Sequence, residues 1–142
     1  MELSDLYSQK ILEIAANIPS APRLACPHGT ARKVSRVCGS AIEVDLMVEN
    51  GIVTQFGQVV SACAMGQTSA AIMASHVVGS SASELRALAQ AMHAMLKAEG
   101  DAPQGKWQDL QYLMPVRDYR HRHASTLLVF DAVVAALDQA GA

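Results

Sequence analysis

Asn50-Gly51 lies between two long runs of alternating polar and apolar residues, and no other feature constrains the fold of this chain so strongly. Asn-Gly is the preferred pair for a two-residue type I′ hairpin turn, because both residues tolerate the positive φ angles that the turn requires. If the register continues unbroken away from this turn, Cys38 lies opposite Cys63. The sequence therefore predicts a long β-hairpin with two thiols face to face at the end far from the turn.

The two strands of this hairpin predict one apolar face and one polar face. Because side chains alternate along a strand, Cys38 shares its face with every second residue of each strand. This predicted face holds Ser40, Ile42, Val44, Leu46, Val48, Val53, Gly57, Val59, Ser61 and Cys63. Glu43 and Asp45 fall on the opposite face, which we expect to be in solvent. A β-bulge at Gly39 or Gly57 would change the assignment, since one inserted residue turns every later side chain over.

The rest of the chain predicts one more strand and several helices. Ser4 caps a first helix that ends at Pro19, and a proline-rich loop follows. Strands are predicted for residues 30–37, 41–49 and 52–61. One helix is predicted directly after Cys63, and further helices are predicted for residues 81–100, 107–113 and 126–137. This order predicts the α+β class, with helices packed on one face of a small three-stranded antiparallel sheet. We expect residues 1–142 to form a single domain.

Composition and charge exclude several classes of function. A chain of 142 residues that is 51% hydrophobic is long enough to bury a core. Its net charge of −2 argues against nucleic acid as a partner, because phosphate binding depends on positive charge. The start of the chain is acidic and no apolar run approaches the roughly 20 residues of a membrane span, so we expect a cytoplasmic protein without a membrane partner. In that compartment, three cysteines predict reduced thiols and not a disulfide framework.

Cys63 lies where the predicted third strand gives way to a helix. The N-terminus of a helix carries a partial positive charge, which stabilises a thiolate at this position. A thiolate is the form that binds a metal or accepts sulfur from a persulfide. The alternative interpretation is an ordinary core residue, since free cysteine is among the most buried residue types. The spacing alone favours neither interpretation.

Several motifs together resemble the iron–sulfur cluster assembly scaffolds IscU, SufU and the N-terminal domain of NifU. The resemblance covers nearly the whole chain and rests on Leu6-Tyr7 and Ile11, on Cys38-Gly39-Ser40 with the alternating residues 42–46, on Ala62-Cys63-Ala64, and on residues 122–127 before an apolar helix. It implies the SufE/NifU-like fold. It also implies a site in which three cysteines and an aspartate hold a nascent cluster or a zinc ion.

The resemblance assigns Cys38 and Cys63 to the first two cysteines of that site and departs from the family at the other two positions. Ser40 stands where the family usually has aspartate, two residues after the first cysteine. Ser125 stands where the third cysteine is expected. Because serine is a poor metal ligand at neutral pH, the family mechanism does not transfer unchanged.

Other side chains offer replacement ligands. His123 is a candidate metal ligand beside Cys38 and Cys63, because imidazole suits zinc and iron. A lone histidine in a basic stretch is, however, more often a solvated surface residue. Cys26-Pro27-His28 offers a further ligand, although a Cys-x-His pair without a second pair is a weak metal signal.

The sequence therefore predicts a scaffold-like carrier, and not an enzyme with turnover, that binds an iron–sulfur cluster, iron or zinc through Cys38 and Cys63. The resemblance implies a cysteine desulfurase and iron–sulfur acceptor proteins as partners. Two alternatives stay open. One is a degenerate scaffold fold that acts as a metal-free interaction or accessory subunit, and the other is a SufE-like sulfur acceptor with one reactive thiol.

Overall fold

The computed structural model describes residues 7–37 and 39–142 and has the predicted α+β architecture. Its three strands form one antiparallel sheet in the order β1-β2-β3. The elements in chain order are α1 (Gln9–Ala16), β1 (Gly29–Val34), β2 (Ala41–Glu49), β3 (Ile52–Ser61), α2 (Ala64–His76), α3 (Ala82–Lys97), two 3₁₀ helices (Gly105–Asp118 and Arg120–Arg122) and α4 (His123–Ala140). The predicted bounds of β2 and β3 are confirmed.

Two elements near the start of the described chain are shorter than predicted. β1 ends at Val34, directly before a turn that the Ser35 amide closes by donating to the Ser40 carbonyl over 2.8 Å. α1 begins after Ser8, whose hydroxyl accepts a hydrogen bond from an amide of the first turn. The predicted cap, Ser4, lies outside the described residues.

The later helices follow the sequence signals more closely. The Ser81 hydroxyl accepts from the Glu84 amide at 3.0 Å, which confirms the predicted cap of α3. The segment predicted as a short helix is instead a 3₁₀ helix that extends over Gly105–Asp118. α4 begins at His123, three residues earlier than predicted.

The hairpin has the predicted turn but not the predicted register. Asn50 and Gly51 have φ angles of 53° and 76°, as a type I′ turn requires. The first two strand pairs after the turn are the predicted ones. A β-bulge then skips Thr54, so that Met47 pairs with Gln55 and every later pair is shifted by one residue.

This bulge overturns the prediction that strand pairing brings Cys38 opposite Cys63. The ladder ends with Ala41 paired to Ser61, and Cys63 lies beyond it at the start of α2. The face assignment of β3 beyond the bulge is wrong for the same reason, since Val59 is 50% exposed, whereas Val53, before the bulge, is buried as predicted. The buried face instead carries Ile42, Val44, Leu46, Val53 and Phe56.

The helices lie on one face of the sheet, and α4 is the central element of the packing. It contacts β1, β2, α2 and α3. Gly29 allows β1 to approach it closely, because a Cβ there would collide with the Ala136 carbonyl oxygen. The core between these elements includes Leu46, Met65, Met92, Leu110 and Phe130. In the part of the chain that the structure describes, no helix is both long and apolar enough to cross a membrane.

The opposite face of the sheet is crossed by residues 19–28, and the expectation that Asp45 faces solvent is wrong. Its side chain has no exposed surface. The carboxylate accepts from Arg23 Nε at 2.6 Å and Nη2 at 3.0 Å, from the Leu24 amide at 3.1 Å and from the Thr30 hydroxyl at 2.7 Å. The hydrogen bonds from Arg23 outweigh desolvation and hold the pKa of Asp45 below its usual value. Glu43, also bonded to Arg23, stays partly exposed as predicted.

Candidate functional site

Cys63 is the N-cap residue of α2, and the candidate site is built around its sulfur. Its backbone is extended, with φ −69° and ψ 174°, so the chain turns from β3 into α2 at this residue. The Cys63 carbonyl accepts from the Gln67 amide at 2.9 Å. The half-buried thiol lies 3.2 Å from Ser125 Oγ on α4, where a hydrogen bond forms.

Ser125 connects Cys63 to Ser40. Its Oγ lies 3.2 Å from Ser40 Oγ, and either hydroxyl can donate in this contact. Ser40 is 3% exposed and Ser125 is 1% exposed, so water has little access to the pair. Cys63, Ser125 and Ser40 thus form one hydrogen-bonded row, which we call the Cys-Ser-Ser row. They are the three described positions at which the family resemblance expects ligands.

Gly66 allows the helices to meet at this row. A Cβ at Gly66 would lie 2.7 Å from Ala62 Cβ and 3.0 Å from Ser125 Oγ, which is too close for an unshifted side chain. The Ser69 hydroxyl adds a hydrogen bond between the helices, to the Thr126 carbonyl at 2.8 Å. No motif in the sequence predicted the role of Gly66, although the many small residues of α2 are typical of a closely packed helix.

Two helix N-termini converge on the Cys-Ser-Ser row. α2 begins directly after Cys63, and α4 begins two residues before Ser125. The unpaired amides of a helix start give each terminus a partial positive charge. Both partial charges therefore lie at the end of the fold that carries the Cys63 sulfur. This arrangement suits a thiolate that binds a soft metal ion or accepts sulfur.

Cys38 lies outside the described residues, so its position at this site stays a prediction. Its neighbours belong to the closed turn between β1 and β2. Gly39 has φ +72° and its amide donates to the Ser35 carbonyl at 2.9 Å. Val37 is 70% exposed. The turn ends at Ser40, which belongs to the Cys-Ser-Ser row.

His123 lies at the start of α4, but the structure does not bring it into the Cys-Ser-Ser row. Its Nε2 lies 3.0 Å from the carbonyl oxygens of both Val116 and Arg117. Carbonyls only accept, so Nε2 carries the proton and Nδ1 has the lone pair of the neutral ring. Residues two apart on a helix point to nearly opposite sides, which separates His123 from Ser125.

Cys26 and His28 lie at the other end of β2. The His28 amide donates to the Leu46 carbonyl at 2.9 Å, and its Nδ1 accepts from the Val48 amide at 3.0 Å. The length of β2 separates this point from Ser40 by about 25 Å. Cys26, which is exposed, precedes His28 by two residues. In residues 7–37 and 39–142, no group of three or more His, Cys, Asp or Glu side chains is arranged to hold a metal ion.

Comparisons with known proteins identify the family. No protein-family model matches the chain, and no curated protein matches it. The crystal structure of a nitrogen-fixing NifU-like protein (N-terminal) from Brucella abortus matches with a TM-score of 0.95 and 47% sequence identity, over 98% of this chain and 96% of that chain. The chain therefore belongs to the NifU-like and SufU family of iron–sulfur cluster assembly scaffolds.

A more distant structure shares the fold. It is the crystal structure of a candidate iron–sulfur cluster assembly scaffold protein for the SUF system from thermophilic Fervidobacterium islandicum AW-1. The match has a TM-score of 0.84 and 15% identity, and covers 96% of this chain and 99% of that chain. At this identity the match concerns the fold alone. The predicted NifU-like fold is thus confirmed by one close and one distant structure.

Proposed function

We propose that this chain is a carrier that binds an iron–sulfur cluster, iron or zinc through Cys38 and Cys63 and passes sulfur or cluster to partner proteins. One observation carries the proposal. In the chain, Cys63 lies 62 positions and Ser40 lies 85 positions before Ser125. The three residues nevertheless form one hydrogen-bonded row at two helix N-termini. Membership of the scaffold family supports the class of cargo.

The chemistry of the donors favours a weakly held cargo. Thiolates are soft ligands that suit zinc and iron–sulfur clusters. The hydroxyls of Ser40 and Ser125 stay protonated at neutral pH, so they add no anionic ligand. Of the two ring nitrogens of His123, Nδ1 is the one available to bind a metal, because Nε2 donates to two carbonyls. A cation held by two thiolates keeps open coordination positions, which allow a partner to take it over.

The turn beside the row leaves apolar side chains open to a partner protein. Val34 precedes this turn and Val37 lies within it, and the two residues are 47% and 70% exposed. We propose a cysteine desulfurase as the sulfur donor and iron–sulfur acceptor proteins as the recipients. These partners follow from family membership.

The decisive experiment measures metal and acid-labile sulfide on protein reconstituted without oxygen, together with its visible spectrum. Cys63→Ser and Cys38→Ser each lose bound metal or cluster, because each removes one of two thiolates. Cys26→Ser is the matched control and keeps it, since Cys26 lies at the far end of β2. Equal metal and sulfide contents in the wild type and in Cys63→Ser would refute the proposal.

A gain of function provides an independent test. Ser125→Cys adds a thiol 3.2 Å from the position of the Cys63 sulfur, where the family expects its third cysteine. The zinc affinity of this variant rises by at least tenfold, on the order expected for a third thiolate in the coordination shell. Ser75→Cys on α2 is the control and leaves the affinity unchanged. An unchanged affinity in Ser125→Cys contradicts the proposed site.

The second candidate function is that of a sulfur acceptor. It is favoured by the position of the Cys63 thiol, which lies beside two helix N-termini. In that reaction the Cys63 thiolate attacks the outer sulfur of a donor persulfide. A new S–S bond forms on Cys63, the S–S bond of the donor breaks, and the donor leaves as a thiolate. Mass spectrometry after incubation with a desulfurase and cysteine detects one added sulfur on Cys63 in metal-free protein. A protein with neither metal nor added sulfur is the accessory subunit.

A further inference from the structure

We propose that Ser125 and Ser40 are positioning residues for Cys63, which orient its thiolate by hydrogen bonds without binding the metal. This inference rests on the proposed function and extends it. The family assigns ligands to both positions, whereas this chain has two buried hydroxyls there. Serine hydroxyls are poor metal ligands, but in the Cys-Ser-Ser row these two hydroxyls hold the Cys63 sulfur in place by hydrogen bonds.

Burial makes the direction of the hydrogen bonds matter. Ser125 and Ser40 have almost no contact with solvent, and Gly66 lets α2 close over Ser125 Oγ. A buried hydroxyl without a protein partner costs stability, so each of these groups needs a hydrogen bond within the protein. The contact partners of Ser125 Oγ are the Cys63 sulfur and the Ser40 hydroxyl. The row is therefore a chain of linked hydrogen bonds.

The chemistry of each group fixes the direction once Cys63 is ionised. A thiolate only accepts, so the Ser125 hydroxyl must donate its single proton to the sulfur. Ser125 can then only accept from Ser40, which donates. Ser125 thus stabilises the anionic sulfur directly, and Ser40 acts through Ser125. Hydrogen bonds to ionised acceptors are about twice as strong as neutral ones.

This arrangement predicts a specific effect on metal binding. Residues that orient a ligand by hydrogen bonding typically contribute 10–100-fold, as an order of magnitude, to metal affinity. In a Cys26→Ser background, Ser125→Ala therefore weakens Zn²⁺ binding by at least about tenfold, and Ser40→Ala weakens it less. Ser75→Ala is the matched control, because the Ser75 hydroxyl bonds only back to Ala71 of the same helix. An unchanged Zn²⁺ affinity in Ser125→Ala overturns the inference.

A second readout compares the two hydroxyls. Because Ser40 acts through Ser125, Ser40→Ala weakens Zn²⁺ binding less in a Ser125→Ala background than in the otherwise wild-type protein. The losses in Zn²⁺ affinity from the two substitutions are therefore not additive.

Non-additivity separates positioning from packing. Additive losses of Zn²⁺ affinity would mean that each side chain only fills space, which overturns the inference. Should Ser125→Ala fail to fold by circular dichroism, Ser40→Ala carries the test against the Ser75→Ala control, with a smaller decrease in Zn²⁺ affinity. Failure of the proposed function is distinguishable, because wild-type protein then binds no Zn²⁺.

Discussion

The buried carboxylate of Asp45 makes the sharpest prediction about stability. Asp45 holds residues 19–28 against the sheet through Arg23 and the Leu24 amide, and it also accepts from Thr30 of β1. Asp45→Asn keeps the size of the side chain, but it replaces one acceptor oxygen with an amide nitrogen that faces the guanidinium. The variant therefore removes the charge and half of the acceptor capacity while it leaves the packing intact.

The magnitude follows from the burial of Asp45. Hydrogen bonds to a charged group contribute about 1.5–3 kcal/mol. The Arg23 side chain is 46% exposed and regains water, so we expect about 2 kcal/mol for Asp45→Asn. With an unfolding entropy of about 2.1 cal/mol/K per residue over 142 residues, this lowers Tm by about 7 °C.

Urea denaturation and calorimetry measure this loss, and Glu43→Gln is the matched control. Glu43 also bonds Arg23, but its side chain is 36% exposed, so removing its charge costs less than about 1 kcal/mol. Limited trypsin digestion at Arg23 is expected to be faster in Asp45→Asn alone. Equal stabilities of the two variants would refute the claim that burial makes Asp45 the anchor.

The same carboxylate predicts a dependence on pH. Because the folded-state pKa of Asp45 is below its ordinary value, its ionisation stabilises the fold at every pH above that ordinary value of 3.8. The stabilisation is lost as the pH falls below 3.8 and through the lower folded-state pKa. We expect the free energy of unfolding to decline more steeply in the wild type than in Asp45→Asn over this acid range. Parallel curves would contradict the assignment.

Three further substitutions test the packing and the pH dependence. Gly66→Ala destabilises the fold by about 1–2 kcal/mol in urea denaturation, although alanine has the better helix propensity, because the new methyl group collides where α2 meets α4. A variant with wild-type stability would refute this. Gly57→Ala displaces residues 19–28, since a Cβ there would collide with the Pro22 carbonyl, and it accelerates proteolysis in that segment; an unchanged digestion pattern would contradict it. Burial raises the pKa of Glu84, but hydrogen bonds from Trp107 and Lys106 outweigh burial, so that the pKa lies below its ordinary value of 4.5. Ionised Glu84 therefore stabilises the fold above pH 4.5, and this stabilisation is lost as the pH falls further. Glu84→Gln is expected to make the decline in the free energy of unfolding below pH 4.5 less steep.

Local signals in the sequence predicted most of the fold. Asn50-Gly51 determined the turn and, with the alternating residues on either side, the bounds of β2 and β3. The Ser81 capping signal located the start of α3, because a cap is a contact between residues three positions apart. These features depend on neighbours in the chain, which is why a single sequence reveals them.

Contacts between distant residues account for the errors. The bulge falls at Thr54, whose hydroxyl bonds the Met47 carbonyl at 3.3 Å, and not at a glycine. A threonine inside an alternating strand gives no local sign of a bulge. The burial of Asp45 was missed for a related reason, since its partner Arg23 lies in a loop whose side of the sheet no local pattern specifies.

The bulge also explains why the site differs from the paired thiols that the hairpin predicted. Had the register continued, its extension would have placed Cys38 opposite Cys63. The bulge shifts every later pair by one residue. The ladder ends at Ser61, as the predicted bounds of β3 required, and Cys63 is the cap of α2, where its sulfur reaches α4. Its partner is therefore chosen by helix packing, through Gly66 and Ser125, and not by strand pairing.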